Sequence, residues 1–534
     1  MNTNRKIIEK AIKTGINTAE ELNSIKRLVL RSVKNDKKIP TTANLLKAYH
    51  KLLKENKIKR NKLLEEALTK RAVRTLSGVS IVTVLTEPFQ CPGECIYCPN
   101  EKSMPKSYIA DEPAAARALA LHFDPYEQVA KRIESLAANG HPTDKIELIV
   151  KGGTWNVYPI AYKYWFILRC FEACNNSRAK TKKNAAINIL KKKLAETQNK
   201  NEKAKHRIIG LTLETRPDKI NIENILIMRE LGCTRVELGV QTIDDKILRL
   251  IKRGHDTDET VRATQMLKNY GFKVDYHLMP QLPGTTPDKD LKMMQKIFSD
   301  QAYRPDMIKI YPCTVVENSE LYDWFKAGQY LPYSNRALID TIKKFKTTIP
   351  RYARVSRLIR DIPAHHIKAG NTVTNLRQVI LKEMTEEGKK CYCLRCREIG
   401  HLPIKQQHTL AAKPLKLFIE KYKASGGIEY FLSFEDSKRQ AVFAFCRLRL
   451  DVYGAAFPAF IRELHVYGQS LMLGAKEKLA SQHKGLGKKL ISAVEKICRK
   501  NKITTLAVIS GVGVRDYYRK LGYKKSGTYM VKLF

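Results

Sequence analysis

The sequence has no apolar run that approaches the roughly 18–20 residues needed to cross a lipid bilayer. Its first residues also lack the apolar core of a secretory signal peptide and continue into polar, amphipathic sequence. Both absences argue against membrane insertion and against secretion. We therefore expect a cytoplasmic protein that makes no use of a membrane.

Acidic residues are scarce relative to basic ones. Asp and Glu together number 53, whereas Lys and Arg number 97, so the formal net charge is +44. Self-repulsion of this size opposes folding, which indicates that the charge serves a partner. Nucleic acid is the polyanion that fits best, and a lysine bias of the source genome is the alternative. Residues 1–75 combine the same excess with helical periodicity, so we predict a basic helical region that binds RNA.

The cysteines lack the dispersed spacing of a disulfide framework. Six of the 12 fall into two tight triads, at positions 91, 95 and 98 and at positions 391, 393 and 396. Such clustering is typical of metal binding in a reducing compartment. The two triads differ in spacing, which indicates two different kinds of site.

The first triad, Cys91, Cys95 and Cys98, follows the pattern C-x3-C-x2-C. Three thiolates leave one iron of a four-iron cluster without a protein ligand, and that iron can chelate a small molecule. A structural zinc site completed from elsewhere in the chain is the alternative. The spacing closely resembles the signature of radical S-adenosylmethionine (radical SAM) enzymes, which implies a 4Fe-4S cluster and SAM.

Alternating strand-like and helical segments follow from about residue 76. The predicted strands are β-branched and apolar and cover 79–85, 145–150, 207–213, 235–239, 273–278 and 307–311. Repeated βα units predict a parallel sheet, and six of them predict a partial barrel. Chemistry in such folds lies at the carboxyl ends of the strands, and the first triad follows the first strand.

A glycine pair follows the second predicted strand. Gly152, Gly153 and Thr154 resemble the glycine-rich segment that holds the amino group of SAM, with Thr154 in place of an acidic residue. Glycines let the backbone approach a ligand closely. We therefore assign this turn to SAM binding.

Charged and polar residues also end the next strands. Glu214 could bind the ribose or the methionyl part of SAM, and Arg216 a carboxylate, although both could simply cap a strand. Gln241 ends the fourth strand and is assigned to the same site. Lys309 lies in the sixth strand, where a lysine is either paired or functional, and we predict an active-site role.

Four arginines, Arg351, Arg354, Arg357 and Arg360, recur at a spacing of three. On a helix such neighbours would lie close together. They could grip phosphates or make ion pairs between domains, and we favour the domain contact.

The second triad, Cys391, Cys393 and Cys396, has the spacing C-x-C-x2-C and lies between two large regions. A structural zinc ion would stabilise such a connection. The fourth ligand is open, with three candidates: Cys313, His401 and His408.

The last 120 residues or so change to antiparallel strands, predicted at 429–433, 441–450 and 459–467. A Q-x-x-G-x-G turn then opens a helix predicted at 488–499, whose free N–H groups and dipole suit a pyrophosphate. The residues assigned to this turn are Gln482, His483, Lys484, Gly485, Leu486, Gly487 and Lys488. With the strand 504–510 and the pair Tyr517–Tyr518, this order resembles that of GNAT-type acetyltransferases, which bind acetyl-CoA.

That resemblance implies roles for three further side chains. A hydroxyl of Tyr517 or Tyr518 would donate a proton to the thioester sulfur, and we expect one tyrosine to pack and the other to face the thioester. Glu463 is placed where many such enzymes carry a general base, although it could only cap the strand.

The combination resembles the catalytic subunit of Elongator, in an archaeal-type stand-alone form. The stretches that carry the resemblance are 91–99, 104–108, 124–126, 210–218, 462–468, 482–487, 509–513 and 529–532. It implies an α/β protein with a partial (β/α)6 radical SAM barrel at 76–385 and a GNAT-like α/β domain at 411–534. A zinc-binding linker at 386–410 and the basic helical region at 1–75 complete the expected domains.

The resemblance further implies a tRNA-modifying enzyme, a tRNA uridine carboxymethyltransferase. A SAM-derived radical would abstract hydrogen from the methyl group of acetyl-CoA, and the product would carry a carboxymethyl group on carbon 5 of the wobble uridine. The anticodon stem-loop of tRNA would then be the polyanionic partner, with a homodimer or Elongator-like accessory subunits as further partners. The alternative is a protein lysine acetyltransferase with a structural iron–sulfur cluster.

Overall fold

A computed structural model describes residues 3–16, 18–32, 39–68, 77–177, 181–450, 454, 456–467 and 485–534. Its N-terminal region is a bundle of four helices: α1 Thr3–Thr14, α2 Ala19–Arg31, α3 Thr42–Lys54 and α4 Lys62–Leu68. Ile7, Leu45 and Tyr49 are buried in a hydrophobic core of its own. The predicted helices are thus present, although the basic residues at 33–38 and 69–76 lie outside the described residues.

The central region is an open, parallel sheet with helices between its strands. Seven strands lie in the order β1-β2-β3-β4-β5-β6-β8. Their bounds are β1 Ser80–Leu85, β2 Lys145–Lys151, β3 Arg207–Thr215, β4 Arg235–Gln241, β5 Lys273–Leu278, β6 Met307–Ile310 and β8 Arg354–Arg357; a separate pair contains β7 Val315–Val316 and β9 Ile367–Ala369. All six predicted strands are confirmed, because their β-branched runs are buried as a parallel sheet requires.

The helices of this region and of the connection that follows are α5 Pro113–Ala120, α6 Pro125–Ala138, α7 Ile160–Cys174, α8 Ile187–Asn201, α9 Ile222–Glu230, α10 Asp245–Leu250, α11 Thr257–Asn269, α12 Pro287–Ser299, α13 Glu320–Lys326, α14 Asn335–Thr348, α15 Leu376–Glu386, α16 Leu394–Arg397 and α17 Ile404–Ala411. Many begin with a side-chain cap that satisfies a free backbone N–H group, such as Asp124 before α6 and Asp256 before α11.

The arginine series does not form a helix. Arg354 and Arg357 lie on β8, the seventh strand of the sheet, and Val355 between them is buried against β6. The favoured domain contact is present: Arg354 donates to the hydroxyl of Tyr467 over 3.0 Å, and Arg351 donates to the carbonyl of Arg439 over 3.0 Å.

The C-terminal region forms a second seven-stranded sheet, in the order β10-β11-β12-β13-β14-β16-β15. Its strands are β10 Lys416–Ala424, β11 Gly427–Glu435, β12 Val442–Leu450, β13 Ala459–Val466, β14 Thr505–Val508, β15 Lys524–Ser526 and β16 Tyr529–Leu533, with helices α18 Leu486–Lys500 and α19 Arg515–Arg519. The three predicted antiparallel strands are confirmed, and α18 begins two residues earlier than predicted.

Buried charges join the two sheets. Arg462 of β13 pairs with Asp306, just before β6, at 2.6 Å and with Glu429 of β11 at 2.8 Å. Glu429 also pairs with Arg449 at 3.0 Å, and all four side chains are fully buried. These pairs hold β13 of the second sheet against the segment that leads into β6 of the first sheet. Among the described residues, no helix combines the length and apolar character that crossing a membrane requires.

Candidate active site

A continuous cavity of about 740 Å³ lies between the two sheets. Glu237 and Lys309 line it from the first sheet, and Glu463 and His465 line it from β13 of the second. Tyr97, from the loop of the first cysteine triad, also lies on its wall. The cavity therefore connects the first triad with the second sheet.

The first triad occupies the loop after β1, where the strand order predicted it. Cys95 is buried, and Arg253 donates a hydrogen bond to its sulfur over 3.3 Å. The contact with Cys98, together with the positive charge of Arg253, lowers the pKa of Cys95 well below its usual range. Thiolates are the form in which cysteine binds iron or zinc.

The two cysteine triads differ in how far their sulfur atoms spread. The three sulfurs of the second triad all lie within 4.8 Å of one another, whereas those of the first do not. Tetrahedral zinc, with Zn–S distances of about 2.3 Å, holds its sulfurs about 3.8 Å apart. A four-iron cluster offers each cysteine a separate iron and so suits a wider set. The donors and spread of the first triad fit such a cluster.

The glycine turn after β2 lies beside the first triad. Gly152 has φ 131° and Gly153 has φ 96°, and a side chain at Gly152 would collide with Thr86. The hydroxyl of Thr154 lies 3.9 Å from the sulfur of Cys91. The predicted SAM-binding turn is thus adjacent to the predicted cluster.

Arg216 packs on the loop of the first triad, against Gly93, where a side chain would collide with the guanidinium. Its Nε donates to Asp218 over 2.8 Å, and its Nη2 donates to the carbonyl of Gly254 over 3.2 Å. Its Nη1 is buried without a hydrogen-bond partner in the structure. Because a buried unpaired donor costs free energy, this nitrogen fits a site that a carboxylate ligand completes.

Glu214 and Gln241 line the cavity next to the same loop. Glu214 accepts a hydrogen bond from the hydroxyl of Tyr108 over 3.0 Å and pairs with Lys151 at 3.0 Å. Gln241 adopts a left-handed backbone conformation, with φ 68°, at the end of β4. The structure therefore gathers all six residues predicted for SAM around the first triad and the adjoining cavity wall.

Lys309 belongs to a buried charged cluster inside the first sheet. Its Nζ lies 2.5 Å from the carboxylate of Glu237, which also pairs with Lys151 and with His277. Burial lowers the pKa of Lys309 to about 8. Burial alone would raise the pKa of Glu237, but Lys151 and Lys309 hold it well below its usual range. A buried lysine with a lowered pKa gives up its proton more readily than an exposed one, and the active-site role of Lys309 stays a prediction.

Three buried residues near this cluster were not predicted from the sequence: Lys151, Arg253 and Asp275. Asp275 is fully buried on β5, neither carboxylate oxygen has a hydrogen-bond partner in the structure, and burial raises its pKa to about 6. A charged residue within a β-branched strand is the signal that marks Lys151 and Asp275. Nothing local marks Arg253, which approaches Cys95 only through the fold.

The second sheet opens between β13 and β14. These strands pair only at Phe460–Ala507 and Ile461–Val508, whereas β13 continues its pairing with β12 as far as Val466. The last four residues of β13, beyond Arg462, therefore have no strand partner on one side within the described part of the chain. The resulting cleft is a place where an extended ligand can lie between the strands.

The predicted acetyl-CoA turn lies partly at this cleft. Gln482, His483 and Lys484 fall outside the described residues, whereas Gly485, Leu486, Gly487 and Lys488 form the start of α18, with Gly485 as its cap at φ 67°. A β-carbon on Gly487 would lie 3.5 Å from Val466 and 2.5 Å from the hydroxyl of Tyr517. The helix N-terminus, the open end of β13 and a tyrosyl hydroxyl thus meet.

The two tyrosines differ in exposure to solvent. Tyr518 is buried and packs edge-on against Tyr517 and Tyr523. Tyr517 is 36% exposed, and burial of its ring raises its pKa above the usual range. Tyr517 is therefore the more accessible donor near α18, although Tyr518 also lines the cavity.

Glu463 faces the cavity but is held by two cations. Its carboxylate accepts a hydrogen bond from Arg447 over 2.9 Å and lies 3.6 Å from the Nζ of Lys273. Burial alone would raise its pKa, but Lys273 and Arg447 lower it to about 2. This carboxylate is a weak proton acceptor, which does not favour the predicted role as a general base.

At the second triad, a lysine lies where a fourth ligand was expected. The Nζ of Lys346 is 3.4 Å from the sulfur of Cys391 and 3.9 Å from that of Cys396. Contacts with these two thiols lower the pKa of Cys393 well below its usual range. The same contacts raise the pKa of Cys391, and the pKa of Cys396 is also raised, so the shared proton favours one thiolate, on Cys393, and the zinc ion remains a prediction.

None of the three candidate fourth ligands joins this triad, since no other His, Cys, Asp or Glu of the described chain lies within 4.8 Å of all three sulfurs. Cys313 is buried against Tyr330, in a different hydrophobic cluster. His401 pairs instead with Glu398 at 3.5 Å. His408 lies on the exposed side of α17.

Comparison with protein families divides the chain along the same lines. Residues 89–297 match the Radical SAM superfamily, and residues 305–386 match the Radical SAM C-terminal domain. Residues 478–532 match the acetyltransferase (GNAT) domain. The first cysteine triad lies in the first of these matches and α18 in the last.

Comparison with single proteins covers most of the chain. It is 45% identical over 488 residues to the tRNA uridine(34) acetyltransferase of Methanocaldococcus infernus, covering 88% of each chain. It is 34% identical over 492 residues to Elongator complex protein 3 of Homo sapiens, covering 88% of this chain and 87% of the human protein. The solved structure of M. infernus Elp3 lacking residues 1–46 superposes with a TM-score of 0.73 at 41% identity, covering 86% of this chain and all of that one.

Proposed function

Because the chain belongs to the family of the tRNA uridine(34) acetyltransferases and Elongator complex protein 3, we propose that it uses SAM and acetyl-CoA to place a carboxymethyl group on carbon 5 of the wobble uridine of tRNA. The observation that carries this proposal is the continuous cavity between the first cysteine triad and β13. A reaction that takes a radical from one cofactor and carbon from another needs both in near contact.

The residues at the first triad would hold the cluster and SAM. Cys91, Cys95 and Cys98 supply three thiolates, and the unpaired Nη1 of Arg216 is suited to the SAM carboxylate. Glu214, fixed by its two partners, is suited to the ribose hydroxyls. When bound, the reduced cluster with SAM supplies a 5′-deoxyadenosyl radical that can take hydrogen from the methyl group of acetyl-CoA.

The cleft of the second sheet would hold acetyl-CoA. The free N–H groups and positive dipole end of α18 suit its pyrophosphate. The gap between β13 and β14 would let the acetyl arm pass from the side of α18 to the side that faces the first sheet. The acetyl group would thereby reach the cavity.

The N-terminal bundle would bind the tRNA backbone. Lys47, Lys51 and Lys54 project to solvent from α3, while Leu45 and Leu52 on its opposite face are buried. Such a basic face binds phosphate without reading sequence. The wobble base would leave the stacked anticodon loop to enter the cavity, as chemistry on a base requires.

We further propose that Cys391, Cys393 and Cys396 bind a structural zinc ion whose fourth ligand is none of the three candidates from the sequence. The close grouping of the sulfurs supports this. Elemental analysis should show one zinc fewer per chain in Cys396→Ala. An unchanged zinc content would refute the proposal that this triad binds zinc.

A labelling experiment tests the main proposal. The reduced protein is incubated with SAM, methyl-labelled acetyl-CoA and tRNA, and the tRNA is digested to nucleosides. We expect label on uridine that is lost in Cys95→Ala and kept in Cys174→Ala, which truncates a buried cysteine of α7 instead. Acetyl-lysine on a protein substrate without labelled uridine would favour a protein lysine acetyltransferase.

A further inference from the structure

The side chains at the end of β13 alternate between two environments. Val466 faces α18, next to Gly487 and Tyr517. Glu463 and His465 line the cavity on the side of the first sheet. The cleft between β13 and β14 opens beside these residues, so an acetyl arm that passes through it would present its carbonyl on the face that carries Glu463 and His465.

His465 is held in one orientation by aromatic neighbours. Its ring stacks on Phe445, with 10° between the planes, and lies 4.4 Å from the ring of Tyr467. Its Nε2 lies 3.3 Å from the carbonyl oxygen of Ser77. Because a carbonyl oxygen only accepts, this bond assigns the hydrogen to Nε2, so that Nδ1 is the unprotonated nitrogen of the neutral ring.

The electrostatic surroundings of His465 favour the neutral ring. Burial lowers its pKa below the usual range, so the imidazole is uncharged at neutral pH. The charged or titratable groups that face it are Glu463, Glu398, Arg354 and Lys273, together with Glu147 of β2 and the adjacent Tyr467. Glu463 and Glu398 raise its pKa, and Arg354 and Lys273 lower it.

We infer that His465, and not Glu463, is the residue that accepts the proton from the water that hydrolyses the thioester. The inference rests on the proposed function and adds to it that hydrolysis of the thioester releases the carboxymethyl product from CoA. An O–H bond of water breaks, and its proton goes to Nδ1 of His465 while the oxygen bonds to the carbonyl carbon. The carbon–sulfur bond then breaks, and the CoA thiolate takes up a proton, so that water and thioester give a carboxylic acid and a thiol.

Glu463 then acts on the reaction indirectly, through its effect on the pKa of His465. Its carboxylate compensates the charge of Lys273 and part of the charge of Arg447, which also lies 3.7 Å from Asp306. This makes Glu463 a positioning residue. Its loss should shift the pH dependence of hydrolysis by lowering the pKa of His465 further, without removing the proton acceptor.

The test measures tRNA-dependent release of free thiol from acetyl-CoA by the full-length protein across pH 5–9. His465→Gln keeps a donor for the carbonyl of Ser77 but has no basic nitrogen. We expect its rate to fall about 10²–10⁴-fold, the usual worth of a general base, and to lose the acid limb of the pH profile. His465→Ala should regain part of its rate with added imidazole.

His206→Gln is the matched control, because His206 is also buried and bonds a carbonyl, that of Thr143 over 2.8 Å, away from the cavity. It should hydrolyse at the wild-type rate. A wild-type rate in His465→Gln, or loss of activity in Glu463→Gln with no shift of the acid limb, would overturn the inference while the proposed function stands. Absence of tRNA-dependent thiol release in the wild type would instead count against the proposed function.

Discussion

The ion pair between Asp306 and Arg462 provides a sharp test of how the two sheets are held together. Both oxygens of Asp306 contact the guanidinium, at 2.6 and 2.7 Å, and the same carboxylate accepts the backbone N–H of Val274 over 3.0 Å. Asp306→Asn removes the charge while keeping the shape and one acceptor oxygen. Removing one partner of a buried ion pair costs about 3–5 kcal/mol.

We expect a loss near the lower limit, about 3 kcal/mol, because the asparagine oxygen can still accept from Val274. For a urea slope of about 3 kcal/mol/M, the unfolding midpoint would fall by about 1 M. Urea unfolding followed by circular dichroism measures this. Asp340→Asn is the control, since its half-exposed carboxylate pairs with the exposed Arg336 at 2.7 Å and with Lys343 at 3.0 Å, and we expect a much smaller loss from it.

The pH dependence gives an independent check on the same residue. Burial alone would raise the pKa of Asp306, but Arg462 and Lys268 hold it well below its usual range. Its contribution to stability is therefore present above the unfolded pKa of about 3.9 and is lost as the pH falls below it. The difference in the free energy of unfolding between the wild type and Asp306→Asn should therefore become smaller as the pH falls below about 3.9. Equal stabilities at pH 7, or an equal loss in Asp340→Asn, would refute the reasoning.

Three further expectations follow from the site. Asp275→Asn should stabilise the protein by about 1–2 kcal/mol at pH 7.5, because the pKa of this carboxyl is raised to about 6 in the folded protein but not in the unfolded chain. Thermal unfolding should show that this gain in stability becomes smaller as the pH falls from 6 to 4. A constant gain at all pH values would contradict it. Tyr517→Phe should lower acetyl-CoA turnover about tenfold or more and leave tRNA affinity unchanged in a filter-binding assay, whereas loss of tRNA binding with normal turnover would speak against its placement. Deletion of residues 1–75 should weaken tRNA binding and flatten its dependence on salt, and an unchanged salt slope would exclude this region from the phosphate contacts.

Local sequence determined the secondary-structure elements and the kinds of side chain that could bind a cofactor. The β-branched runs predicted six strands of the first sheet within two residues at each end, because a parallel strand is buried on both faces and must be apolar throughout. The spacing of Cys91, Cys95 and Cys98 and the glycines at the start of α18 marked the two cofactor regions, since ligands supplied by one short loop are adjacent in sequence.

Only the tertiary structure decided which distant residues meet. The spacing of Arg354 and Arg357 did not reveal their secondary structure, and they form the seventh strand because β6 offers an open edge to pair with. Arg253 approaches Cys95, although 158 positions separate them in the chain. The sequence left two roles open for Glu463, a general base or a strand cap, and only the fold places Arg447 and Lys273 beside it. The pKa of Glu463 and the tautomer of His465 both depend on neighbours from other parts of the chain, and no local pattern carries that information.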